Sequence, residues 1–83
     1  MRIETIDEPV KVRADFSGGE ITPVAFKRKS RVYRIEKVNA RWMDRAAEDT
    51  VHYFSVDSGG NTYELSLRIR AMVWNLERVV LDD

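Results

Sequence analysis

Residues 51–67, VHYFSVDSGGNTYELSL, decide the fold. Read Gly59-Gly60 as a two-residue turn, where glycine supplies the positive φ values a tight hairpin needs. Ser58 then faces Asn61, Val56 faces Tyr63, Phe54 faces Leu65 and His52 faces Leu67. One face of the ribbon is almost wholly apolar, and the other carries Asp57, Thr62, Ser55, Glu64, Tyr53 and Ser66. A three-residue loop would set Val56 against Glu64 and mix the faces, so the hydrophobic pattern selects the register. The stretch predicts an antiparallel β domain and carries no reaction.

Upstream, Val10, Val12 and Ala14 point one way, with Phe16 just beyond, while Lys11, Arg13 and Asp15 point the other. That alternation is a half-buried strand. Residues 17–20 are a turn, and residues 21–27 resume extended structure. Pro23 cannot donate to a ladder, which predicts an edge strand or a strand beginning there. A two-residue turn at Lys29-Ser30 sets Arg28 against Arg31, Phe26 against Tyr33 and Val24 against Ile35. Lys-Ser lacks the chemistry of the favoured tight turns, so a looser tip is expected. Inward parity then changes from odd (Tyr33, Ile35) to even (Val38, Ala40, Trp42), which predicts a bulge near Glu36-Lys37. Residues 44–50, DRAAEDT, read as the longest connection, with room for a helical turn. Residues 1–8 read as a polar lead-in whose Ile3 and Ile6 can pair at a sheet edge.

Downstream, residues 68–81 admit two readings. As a strand, a turn at Arg70-Ala71 sets Leu67 against Trp74 and Leu65 against Leu76. As a helix, Ile69, Met72, Val73, Leu76 and Val80 form an amphipathic stripe, though no capping residue opens it. Trp74, Val79-Val80 and the preceding strand favour the strand. The expected fold is all-β: a small SH3-like barrel or roll of five to six mostly antiparallel strands. The alternative is an antiparallel sheet with a C-terminal helix. The expected organisation is a single domain, 1–83, with 1–8 as lead-in and 9–81 as β core.

With 83 residues, the expected stability is about 4–12 kcal/mol. The absence of cysteine excludes disulfides, thiolate nucleophiles and cysteine-ligated zinc. Acids stand near the N-terminus where a signal peptide has its apolar run, and no stretch approaches a membrane span, so the expected location is cytoplasmic, away from any membrane. Lys plus Arg and Asp plus Glu balance at 14 each, but Lys27, Arg28, Lys29, Arg31, Arg34, Lys37 and Arg41 lie together against the single acid Glu36.

The order EPVKVR, P-x-x-F (Pro23 to Phe26), R-x-Y-R-I (Arg31 to Ile35), V-x-x-R-W (Val38 to Trp42), Y-E-L (Tyr63 to Leu65) and W-x-L-x-R-V (Trp74 to Val79) resembles a small bacterial domain family of unknown function. Members of that family stand near Y-family translesion DNA polymerases in some genomes. The resemblance implies a compact β fold and a loose connection with DNA repair, and it brings no catalytic residues. The KRKSR tip departs from the family pattern, where Trp and Gly stand nearby.

Chemistry is sparse. His52 is the single histidine, and without a partner ligand or a neighbouring nucleophile it reads as structural. The acids are dispersed, lacking both a paired arrangement and an EF-hand spacing. The two Gly-Gly pairs are turn residues rather than a phosphate loop. Hence no catalytic, cofactor-binding or metal-binding residue is expected, and the chain reads as no enzyme. What remains is an interaction surface: Lys27, Arg28, Lys29, Arg31 and Arg34 on the hairpin, with Arg41 beside Trp42 as an aromatic anchor. The expected function is a non-catalytic module binding a protein partner. The alternative is a nucleic-acid-binding accessory domain using hairpin 27–34.

Overall fold

The computed structural model describes residues 1–81, apart from the side chain of Ala46. Eight strands fill it: β1 (Arg2–Pro9), β2 (Lys11–Ser17), β3 (Glu20–Arg28), β4 (Arg31–Arg34), β5 (Lys37–Ala46), β6 (Asp49–Ser58), β7 (Asn61–Arg68) and β8 (Val73–Leu81). They form two antiparallel sheets, one of five strands in the order β1-β8-β7-β6-β5 and one of three in the order β2-β3-β4. The fold is all-β, as the pattern predicts.

Eight strands rather than five or six arise because two long extended runs each break at a corner. β1 passes into β2 through Val10, whose N–H turns back to the Trp74 carbonyl. β4 passes into β5 through Ile35 and Glu36. The Ile35 N–H still donates to Val24 of the small sheet at 3.0 Å, while the Glu36 N–H donates to Asp57 of the large one at 2.8 Å. The hydrogen bonding is interrupted at both corners, which leaves two sheets rather than one closed barrel. The expected lead-in is in fact edge strand β1, with Ile3 opposite Val80.

The β6–β7 hairpin has the register read from parity, with Phe54 opposite Leu65 and Val56 opposite Tyr63. Gly59 and Gly60 sit at φ 56° and 86°, the paired left-handed conformation of a type I′ turn. The tip at Lys29-Ser30 adopts the same conformation, φ 50° and 65°, so it is tight rather than loose even without glycine. The tail is a strand: Leu67 faces Trp74 and Leu65 faces Leu76. Its weak turn is supported from outside, because the Asp49 carboxylate accepts the Arg70 N–H at 2.8 Å.

Three local readings need correction. The parity change is divided between the Ile35–Glu36 corner and a register shift between Val38 and Ala40, two residues beyond the predicted bulge. Residues 44–50 are no long connection: β5 runs to Ala46, β6 starts at Asp49, and the polar side chains of Asp44 and Asp49 accept the N–H groups of Arg45 and Thr50. Pro23 lies in the middle strand of the small sheet and is fully buried. It is tolerated there because β4 pairs only with Ala25–Arg28, which leaves the Pro23 end of β3 bare on that side.

Phe26, Phe54, Val56, Tyr63, Leu65, Leu67, Leu76 and Val79 form the core between the sheets. Phe26 stacks on Tyr33 at 4.8 Å and meets Tyr63 edge-on at 5.1 Å. Two side chains fasten the seams. Arg28 of β3 donates to Glu8 of β1 at 2.5 Å, and Arg41 of β5 reaches the Ile21 carbonyl of β3 at 2.7 Å.

Candidate functional site

The basic residues of the β3–β4 hairpin separate onto two faces, because strand side chains alternate. Phe26 and Tyr33, with Arg28 and Arg31, take the inward parity; Lys27, Val32 and Arg34 take the outward one. Arg28 is committed to Glu8, and that hydrogen bond raises its pKa above the ordinary arginine value. Arg31 lies over the Tyr33 ring at 5.2 Å. Lys29 stands exposed at the turn.

Two cations absent from the predicted set join the outward face. The β2–β3 register places Lys11 opposite Lys27 and Arg13 opposite Ala25. Across the small sheet the rows therefore read Lys11–Lys27–Val32 and Arg13–Ala25–Arg34. Among the described residues, the side chains of Lys11, Arg13, Lys27 and Arg34 form no ion pair or hydrogen bond. At the β4 end of the first row, Val32 is 63% exposed. A shallow hollow of about 440 Å³ lies beside it, over Ala25 and Phe26 and rimmed by Lys11, Arg13 and Lys27. The signal for Lys11 and Arg13 was present in the alternation of residues 10–16. Their position over the hairpin depended on the β2–β3 register, which shifts between Arg13 and Ala14 and cannot be counted from the turn alone.

The whole chain is neutral, yet residues 11–34 hold seven Lys or Arg against Asp15 and Glu20, a formal +5 that leaves −5 on the remainder. One sheet is thus a basic pole.

Arg41 and Trp42 do not share a face. Adjacent in β5, they point to opposite faces. Arg41, solvent-exposed, lies over the Phe54 ring across the seam, and Trp42 stacks on Tyr53 on the outer face of the large sheet, with ring centroids 5.4 Å apart. Trp42 is 42% exposed. Trp74 is half-buried against Phe54 at 5.5 Å. His52 is half-buried between Met43 and Leu67 in neighbouring strands. The acids serve the framework: Glu64 pairs with Arg78 at 3.4 Å, and Asp57 accepts from Asn39 and Thr62. The Asn39 amide, then the Thr62 hydroxyl, hold Asp57 below the usual carboxylate range. The Arg70 backbone N–H, foremost among several, does the same for Asp49. Among the described residues no group of three or more His, Cys, Asp or Glu gathers as metal ligands, and no helix is long and apolar enough to cross a membrane.

No protein-family model, curated protein or solved structure matches the chain.

Proposed function

We propose that the chain is a non-catalytic interaction module whose three-stranded sheet docks an acidic protein partner. The observation that carries this reading is the exposed Val32 among four outward cations without partners, Lys11, Arg13, Lys27 and Arg34. Directly opposed lysines repel each other, so Lys11 and Lys27 weaken the sheet until an anion lies across them. An exposed apolar side chain bordered by charged ones is a combination that protein interfaces use. A single-strand nucleic-acid site instead offers aromatic rings to bases; here Phe26 and Tyr33 turn inward, and the sheet's exposed ring, Phe16, stands beside the β2–β3 turn, at the opposite end of the ladder from Lys11 and Lys27.

The test is affinity capture from extracts of the source cells with wild type and Val32→Asp as baits, with and without nuclease. Protein partners that survive nuclease and are lost with Val32→Asp support the reading. Capture that nuclease abolishes moves the function to the second reading, a nucleic-acid accessory domain using the same cations.

A further inference from the structure

β4 is the outer strand of the small sheet, and its free edge borders a cleft of about 610 Å³. Across that cleft stand Glu4 and Ile6 of β1, itself the outer strand of the large sheet. Tyr33, Tyr63, Val79 and Leu81 line the cleft too, all on the inward parity of their strands. The free edge of β4 and one face of β1 therefore border an apolar and phenolic floor.

The edge of β4 has donors and acceptors to offer. In an antiparallel ladder, every second residue turns its N–H and C=O away from its partner. The Ile35 N–H donates to Val24, so the inward-bonded residues of this ladder are Arg31, Tyr33 and Ile35, and the outward-turned ones are Val32 and Arg34. Consistent with this, the Arg34 carbonyl accepts from the Ser58 hydroxyl at 2.6 Å, outside the small sheet. The N–H and C=O of Val32 have no partner among the described residues. Unpaired edge groups are the template on which an extended peptide adds a strand.

We propose that the cleft between β4 and β1 takes an extended peptide of alternating acidic and apolar residues, added as a fourth strand to β2-β3-β4. The proposal rests on the reading of the partner as an acidic protein and adds the site and the backbone mode. The residue of the added strand opposite Val32 shares its outward face, beside the Lys27 and Arg34 cations, as do those two positions away along the strand. The intervening residues point inward, onto Tyr33 and Tyr63. Charge complementarity thus selects acids on one phase of the strand, and the floor selects apolar side chains on the other. β4 has four residues, a length of about 13 Å at the usual rise per residue, so four to six peptide residues span the site.

The probe is a fluorescein-labelled acetyl hexapeptide amide in which Glu and Val alternate, titrated onto the full chain by anisotropy. Saturable binding is expected, with loss of about tenfold or more when the glutamate N–H groups that face β4 are methylated. Methylating the valine N–H groups is expected to cost less than about threefold, since they turn away from that edge. The block peptide with three Glu followed by three Val, and the Lys-Val alternation, are expected to bind at least about tenfold more weakly. On the protein, Val32→Pro removes an edge N–H that the β3–β4 ladder does not use and is expected to abolish binding. The methylated peptides test the same contact without altering the fold. Failure of the alternating peptide to bind at millimolar concentration overturns the proposal. So does binding indifferent to glutamate methylation but lost in Lys11→Glu/Lys27→Glu; that result leaves the docking face standing and removes only the added strand.

Discussion

Arg41 holds its guanidinium 5.9 Å above the centre of the Phe54 ring while donating to the Ile21 carbonyl at 2.7 Å. A residue that pattern reading assigns to a partner is thereby a tie between the sheets. Its loss removes a cation–π contact and an inter-sheet hydrogen bond, together about 1–2 kcal/mol. Arg41→Ala should lower the urea midpoint accordingly while leaving partner capture unchanged. A variant of wild-type stability that fails to capture would return Arg41 to the interface.

Phe54 is 2% exposed and faces Leu65, which is fully buried. Phe54→Ala should cost about 3–5 kcal/mol, a large share of the expected stability, whereas Ser55→Thr on the other face should be nearly neutral. Equilibrium urea unfolding of the three proteins separates these outcomes. A loss below about 1 kcal/mol for Phe54→Ala would contradict the register.

Lys29 and Ser30 both occupy the left-handed region, φ 50° and 65°, which favours glycine over residues with a Cβ. Ser30→Gly should therefore stabilise the domain by about 0.5–1 kcal/mol despite the entropy glycine brings to the unfolded chain. Thermal unfolding checks the sign, and a lowered Tm would show that the strain is relieved elsewhere.

The Asp49 carboxylate accepts the N–H groups of Arg70 and Thr50. Its folded pKa is depressed, first by the Arg70 N–H, so its contribution is present above the unfolded value, about 3.9, and is lost as pH falls through the lower folded value. Asp57 acts in the same direction through Asn39 and Thr62. Asp49→Asn should flatten the acid limb of stability as pH falls below the unfolded carboxylate value, about 3.9, toward the lower folded one. An unchanged limb in acid titrations of unfolding would show that the hairpin turn does without this anchor.

The β6–β7 hairpin was legible because a period of two, a Gly-Gly turn and a one-sided apolar face all fix the same register. The tail was less legible: a helical stripe and a strand pairing both fit residues 68–81, and Trp74, Val79-Val80 and the preceding strand favoured the strand. Corners were not legible. Nothing in Ile35-Glu36 distinguishes a strand that bulges from one that leaves its sheet, since the difference lies in which distant carbonyl, Val24 or Asp57, accepts each N–H. The candidate surface shows the same division. Lys27 and Arg34 share a face by hairpin parity alone, but Lys11 and Arg13 join them through a shifted register. Arg28 and Arg41 reach Glu8 and Ile21, about 20 residues distant in the chain, contacts beyond the reach of local pattern.

The most direct measurement of the central claim is binding of duplex and single-stranded DNA to the wild-type chain at about 0.15 M salt, where phosphate contacts are strongly screened. A surface built for an acidic protein with an apolar anchor at Val32 should show no saturable nucleic-acid binding there. Sub-micromolar DNA binding would contradict it, provided that reversal of Lys11, Lys27 and Arg34 abolishes the binding and Val32→Asp leaves it intact.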